Sequence, residues 1–437
     1  MLRATRLLTY TSSKRGFATV VDASKGFKVS AVDNGQPTSS VTVLLKAGSR
    51  YESKPGVAHT LSNFAFKSTG TRSALGTVRE AELYGGVLSS SLSREHLALT
   101  AEFLRGDEAY FVDVLASFIA SPKFTRHELN EYVFPAVHSE SSAAGQSAPT
   151  HALEVAHALA FRNGLGYSLY ADTQATGNIT AEDVRELHTR AVGNPSNVAI
   201  LGTGISTESL AKLFEDAFSA HKTASASAVP ATPAVPATTY HGGSARVAAA
   251  HGPQTIFVGF GSTASTSVHA LHALAAHLNP APALKWASSA APLAPAIPAG
   301  VHARSVLLPY TDATLIGVVL EGNDAGALKE GAKAVVSAFK DAAAGKVGKE
   351  ELARAVARAK FQLATSVEAR EGYVGVFGPK VLKGEVATVQ SALDGVQGVS
   401  GTALSQVAGD LIKSKPTFVA VGDLHVLPYA DEIGLNA

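Results

Sequence analysis

A helix that reads His-x-x-Glu-His can hydrolyse peptides. Its two imidazoles lie four residues apart on one face and can bind Zn²⁺, and the glutamate beside the second can activate a metal-bound water. The stretch Gly56-Val57-Ala58-His59-Thr60-Leu61-Ser62-Asn63 keeps that spacing with the chemistry removed. His59 holds the first imidazole position, Ser62 the glutamate position and Asn63 the second histidine position. A serine hydroxyl without an activating partner is no general base at neutral pH. An amide nitrogen has no lone pair to offer a metal, and an amide oxygen is a poor zinc ligand. The reading is therefore of an inactive motif: no peptide-bond hydrolysis, no catalytic residue, no bound metal and no cofactor.

Other candidate chemistry is weaker. His269 and His272, three residues apart on a helix, lack a third ligand nearby in sequence and read as a solvated face. Gly345-Lys346-Val347-Gly348-Lys349 resembles a phosphate loop, but no Ser or Thr follows either lysine. Gly259-Phe260-Gly261 lacks the third glycine of a dinucleotide fingerprint. No Gly-x-Ser-x-Gly elbow occurs. The charges of 349–360, including the pair Glu350 and Arg354, read as an exposed helix face. With no cysteine in the chain there is no disulfide frame, no thiol nucleophile and no thiolate metal site.

The elements that would position such residues belong to a well-packed protein. The 437 residues are 46% hydrophobic and 17% charged, and at ~150 residues per domain they predict two or three domains. A net charge of +1 gives no electrostatic reason to bind nucleic acid. No stretch reaches the ~20 apolar residues that span a bilayer. The nearest, Ala281 to Val301, is broken by Pro282, Lys285, Pro292, Pro295 and Pro298. Membrane association is expected through partners only. Residues 1–17 contain no acid but carry Arg3, Arg6, Lys14 and Arg15 among Ser, Thr and Leu. That composition predicts a mitochondrial presequence, with Arg15-Gly16-Phe17 before Ala18 resembling a matrix-protease site.

Residues 222–239, rich in Pro, Ala, Ser and Thr, predict a linker. It separates a first domain, 18–221, from a second, 240–437. The two echo each other. A β-rich run ends at Gly48 in one and Gly261 in the other, a helix opens near Leu129 and Leu352, and a late strand ends at Gly202 and Gly422. The offsets, about 213, 223 and 220 residues, predict an internal duplication. In the first half strands are expected at 41–47, 87–91, 96–103 and 197–202. Helices are expected at 56–68, 75–85, 107–120, 125–144, 149–162 and 180–191, with Gly85-Gly86 as a helix stop. The fold class is α+β: two homologous domains, each a mostly antiparallel sheet with helices covering one face.

Several motifs together carry a family resemblance. Ala47-Gly48-Ser49-Arg50-Tyr51-Glu52, Gly56-Val57-Ala58-His59, Phe66-Lys67-Ser68-Thr69, Gly85-Gly86, Ser93-Arg94-Glu95 and Leu104-Arg105-Gly106-Asp107 resemble the pitrilysin-type metallopeptidases, which include the mitochondrial processing peptidase. Glu140, in His138-Ser139-Glu140, stands where that family places its third zinc ligand. From about residue 27 to the end the chain is similar to a non-peptidase branch, the core subunits of ubiquinol–cytochrome c reductase (respiratory complex III). Phe161-Arg162-Asn163, Ser366-Val367-Glu368, Glu371-Gly372-Tyr373, Val421-Gly422-Asp423 and Asp431-Glu432-Ile433-Gly434 extend the match into both halves.

The resemblance implies a subunit peripheral to the mitochondrial inner membrane on its matrix side. It implies a companion core subunit, cytochrome b, cytochrome c1 and the Rieske protein as partners in a dimeric complex, and a role in assembly and stability. It implies no haem or iron–sulfur cluster, in keeping with the absence of Cys and of Cys-x-x-Cys-His. The alternative it implies is the regulatory subunit of the processing peptidase, which also lacks the zinc motif. That subunit carries a long Gly-rich loop early in its second half, whereas Leu278 to Ala287 here contains no glycine.

Overall fold

The computed structural model describes residues 19–22, 26–172, 175–221, 237–249, 252–263, 266–282, 289, 291–385 and 388–435. The expected presequence, the expected linker up to residue 236 and residues 283–287 of the glycine-free segment lie outside the described residues.

The first half opens with β1 (Thr19–Asp22), β2 (Lys28–Val32) and β3 (Thr38–Leu45), then α1 (Val57–Asn63) and α2 (Ala74–Leu83). The hairpin β4 (Val87–Leu92) and β5 (Leu97–Leu104) leads to α3 (Glu108–Ala120), α4 (Arg126–Glu128), a π-helical turn (Leu129–Val133) and α5 (Phe134–Gln146). Then come α6 (Ala148–Phe161), α7 (Ala181–Val192), β6 (Val198–Thr203) and α8 (Thr207–Ala220). The second half holds β7 (Gly243–Ala248), β8 (Gln254–Thr263), α9 (Val268–Leu278), β9 (His302–Pro309), β10 (Ala313–Gly322), α10 (Ala325–Ala343) and α11 (Lys349–Glu368). It ends with α12 (Arg370–Leu382), α13 (Val389–Gln397), α14 (Gly401–Lys413) and β11 (Thr417–Gly422).

The six-stranded sheet runs β1-β2-β6-β3-β5-β4 and the five-stranded sheet β7-β11-β8-β10-β9. Without β1 the two orders correspond strand for strand. Each has one parallel pair, β2 with β6 and β7 with β11, and is otherwise antiparallel. Two equal topologies in one chain are what a duplication leaves, and the fold is the two-domain α+β architecture expected from the sequence.

One expectation needs correction. Helices cover both faces of each sheet, and the second cover comes from the other half. Along β3, Val41, Val43 and Leu45 point into a core with Phe111, Leu115 and Phe214, while Leu44 points the opposite way. With Ala199 and Leu201, Leu44 meets Tyr373, Phe377 and Val381 of α12. Gly378 lets that helix approach closely, since a Cβ there would lie 2.7 Å from the Leu44 side chain. The second sheet repeats the arrangement. Ile256, Val258 and Phe260 face the core under α9, α10 and α14, while Phe257, Leu315 and Val419 face Ala152, Ala156 and Ala160 of α6. Alanines every fourth residue give α6 a flat ridge that packs close to strands. The period-2 alternation is therefore apolar on both sides.

A buried ionic network closes the junction. Arg50 Nη1 donates to Glu95 Oε1 at 2.8 Å and to Asp312 Oδ1 at 2.7 Å, and Nη2 donates to Asp312 Oδ2 at 2.6 Å. The backbone N–H and hydroxyl of Thr311 both donate to Glu95 Oε2 at 3.0 Å. Arg94 Nη2 donates to Glu154 Oε1 on α6 at 2.8 Å. The imidazole of His157, also on α6, lies 2.7 Å from the Tyr310 hydroxyl. Burial alone would raise the Asp312 carboxyl, but hydrogen bonds from Arg50 and Thr238 outweigh it and hold it down at about 2.

Two outcomes follow. Arg50→Met strands Glu95, whose side chain is 5% exposed, and an uncompensated buried charge costs about 3–5 kcal/mol, read as a lower denaturation midpoint at pH 7. Because Asp312 is depressed from its unfolded value, its contribution exists above pH ~4 and fades as pH falls towards 2; the gap between wild type and Arg50→Met therefore narrows on acidification. Phe377→Ala, which empties the contact of α12 with the first sheet, costs about 3–5 kcal/mol in the same measurement.

Candidate functional site

Local backbone sets the site before any side chain does. Gly56 precedes α1 with φ +89°, a left-handed conformation that favours glycine, and a Cβ there would lie 2.5 Å from the Ala171 methyl. Glu52 caps the helix start: its Oε2 accepts from the N–H groups of Gly56 and Ala58, both at 3.1 Å. Gly48 lies against the Arg94 backbone, where a Cβ would come within 2.4 Å. The motif from Ala47 to Glu52 thus anchors both the ionic junction and the helix that carries His59.

His59 and Glu140 do converge. His59 is 4% exposed, and its Nε2 lies 2.7 Å from Glu140 Oε2 on α5. The Ala171 backbone N–H donates to His59 Nδ1 at 3.1 Å. Nδ1 is therefore the acceptor nitrogen, and Nε2 carries the proton and donates to the carboxylate. Asn63 turns its amide to the same oxygen, Nδ2 donating to Glu140 Oε2 at 3.0 Å and to the His59 carbonyl at 3.3 Å. Glu140 keeps its outer side in solvent, 52% exposed. The Tyr170 ring stands edge-on to the imidazole at 5.6 Å, and burial with the nearby Glu154 and Glu140 carboxylates pushes its phenol up.

Ser62 takes no part in that cluster. Its hydroxyl donates to Ser90 Oγ on β4 at 3.3 Å, and Ser90 Oγ donates back to the Ser62 carbonyl at 3.0 Å. With a hydroxyl for a partner rather than a base, it has nothing to take its proton. One imidazole and one carboxylate remain of a tetrahedral donor set, so the residues present do not fit a zinc ion. Among the described residues no three His, Asp or Glu side chains gather as a metal-binding group.

The remaining candidates resolve structurally. His269 and His272 are half-buried rather than solvated: a Cβ at Gly395 would lie 2.5 Å from the His269 ring, and burial, with His269 and Lys380 nearby, pushes the His272 imidazole down to about 4. Lys346 pairs with Asp341 at 2.7 Å, and Gly348 opens α11. Arg354 and Glu350 form the expected exposed helical pair at 3.3 Å. Sequence reasoning missed Ala171, which acts through its backbone and leaves no side-chain signal, and Glu52 as the cap of α1.

Comparison with known proteins adds the following. The sequence model of the family described as Insulinase (Peptidase family M16) matches residues 28–173. Cytochrome b-c1 complex subunit 2 of Cryptococcus neoformans var. grubii is 46% identical over 94% of this chain and 93% of that protein. The protein of the same name from Yarrowia lipolytica is 37% identical over 96% of this chain and 97% of its own length. The human one is 26% identical over 93% and 90%. Among solved structures, a protease from Helicobacter pylori superposes with a TM-score of 0.79 at 18% identity, covering 94% of this chain and 100% of that one, a likeness of fold alone.

The helix cap carries a pH dependence. Burial pushes Glu52 up to about 7 against the hydrogen bonds of Gly56, Val57 and Ala58 that favour its charge. The folded chain thus keeps a proton that the unfolded chain releases near its ordinary value of 4.5. This group favours the fold most below pH ~4.5 and loses that contribution as pH rises to 7. Glu52→Gln keeps an acceptor and removes the ionisation. Relative to wild type, the variant gains stability progressively between pH 4.5 and 7, by about 3 kcal/mol at the top of that range, in denaturation midpoints; superimposable profiles would contradict a raised Glu52.

Proposed function

Because the chain belongs to the family of cytochrome b-c1 complex subunit 2, we propose that it is a non-catalytic structural core subunit of mitochondrial ubiquinol–cytochrome c reductase. The observation that carries this reading is near-complete mutual coverage at 46% identity with a relative of that name. The subunit lies on the matrix side of the inner membrane, pairs with core protein 1 and supports assembly and stability of a dimeric complex with cytochrome b, cytochrome c1 and the Rieske protein. It reaches the membrane through those partners, in keeping with the finding that no helix among the described residues is long and apolar enough to cross it. Residues 1–17 serve as the import presequence, residues 222–239 join the two halves, and the mature chain needs no cofactor, metal or catalytic residue of its own.

The pocket supports the non-catalytic part. Peptide hydrolysis in this fold needs a carboxylate to take a proton from a metal-bound water, and Ser62 stands in that place with its hydroxyl turned to Ser90. The glycine-free segment from Leu278 to Ala287 speaks against the processing-peptidase regulatory subunit.

Native-gel separation of detergent-extracted mitochondrial membranes tests the proposal. The chain is expected to migrate with the b- and c-type haem absorbance of one large complex. Recovery in a soluble matrix heterodimer would favour the regulatory-subunit reading. One tightly held Zn²⁺ per purified chain, with peptide hydrolysis abolished by a chelator, would overturn the non-catalytic assignment.

A further inference from the structure

Asn63 at the second imidazole position is one obstacle to a metal, and the backbone supplies another. We infer that the pocket is closed to Zn²⁺ by a fixed histidine proton, and that His59, Asn63 and Glu140 form a hydrogen-bonded tie that joins α1 to α5 where a metal would otherwise do so. The inference deepens the non-catalytic reading proposed above and is tested independently of it.

One group in the pocket cannot change role. A backbone N–H only donates. That of Ala171 points at His59 Nδ1 from 3.1 Å, so this nitrogen must present its lone pair. The proton is left on Nε2, which faces Glu140 Oε2 at 2.7 Å. A metal at Nε2 would need that lone pair free and the proton moved to Nδ1. Metal-ligating histidines donate their other ring N–H to a carbonyl, carboxylate or water. Here that N–H would meet another N–H.

The segment carrying Ala171 has no room to turn aside. Ala171 is 2% exposed, and its methyl lies against Gly56, where even one added carbon would clash at 2.5 Å. Two residues earlier the Leu169 N–H is held by Glu154 Oε2 at 3.0 Å, and Glu154 is itself paired with Arg94. The Tyr170 ring closes the side of the imidazole. On the opposite side, one oxygen of Glu140 accepts from both His59 and Asn63. The carboxylate is thus answered by two N–H donors in place of a cation.

Restoring the two missing side chains is therefore not sufficient. The double variant Ser62→Glu/Asn63→His supplies the motif but leaves the donor at Nδ1. The outer-shell partner of a metal-bound histidine is worth about 10–100-fold in affinity, and here that partner is a donor, so the double variant is expected to show no cobalt absorbance at equimolar Co²⁺. Stoichiometric cobalt binding by the double variant would overturn the inference. The full-length wild-type chain gives a second readout that needs no refolded variant. With ¹⁵N-labelled histidine and a His59→Gln spectrum to assign the peak among the 15 histidines, long-range ¹H–¹⁵N correlation is expected to show Nε2 protonated and Nδ1 bare, unchanged by equimolar Zn²⁺. A proton on Nδ1, or a zinc-induced shift of this peak, would refute it. If the double variant fails to fold, the spectrum alone decides. Neither experiment depends on which complex the chain joins, so either result leaves the native-gel outcome standing on its own.

Discussion

Each half of this molecule builds a sheet that is apolar on both faces, and its own helices fill only one of them. That constraint organises everything else. Apolar surface left in water costs about 25 cal/mol per Å², so the second face must be covered, and the chain covers it by exchange. The α6 helix crosses to the second sheet and α12 to the first. The Arg50 network then lies at the crossing, where Glu95 and Asp312 approach from opposite halves. A buried ion pair is weak evidence for stability in itself. Here its value is geometric, since a bidentate guanidinium fixes the angle and distance between the halves.

The same junction reaches into the site around His59. Two residues beyond Arg50 stands Glu52, which caps α1, and α1 presents His59 to the segment that follows α6. The fold is shared with a solved protease, and among the described residues no three His, Asp or Glu side chains gather as a metal-binding group. The sheets, the helix exchange and the ionic junction are held by apolar packing and hydrogen bonds. An internal hydrogen-bonded cluster then fills the space between α1 and α5.

Much of the architecture was legible in the sequence, because local pattern and tertiary role agree there. The expected strand 41–47 is Thr38–Leu45, the expected helix 107–120 is Glu108–Ala120, and the repeated offset falls on strands in equivalent positions of the two sheets. What escaped was long-range. The short β2 pairs in parallel with a strand that comes over 160 residues later, and no local signal announces such a partner. The α12 helix carries Gly372, Gly375, Gly378 and Pro379, all poor helix formers, and draws its stability from the other half's sheet. The unbroken apolar runs Val198-Ala199-Ile200-Leu201 and Phe418-Val419-Ala420-Val421 were the available sign of two-sided burial. At the site, the spacing of His59 and Glu140 was readable through the family resemblance, but the Ala171 N–H was not, because a backbone amide is the same in every sequence.

The π-helical turn from Leu129 to Val133 lies upstream of Glu140 in one continuous helical run. Such a turn holds one residue more than an α-turn of the same rise, so every later side chain is rotated by roughly 100° from where an uninterrupted α-helix would aim it. Glu140 owes its bearing on α1 to that single surplus residue. The carboxylate's address is thus written in the winding of the helix a full two turns before it, and a lineage could lose the contact by a one-codon deletion that leaves every residue of the cluster in place.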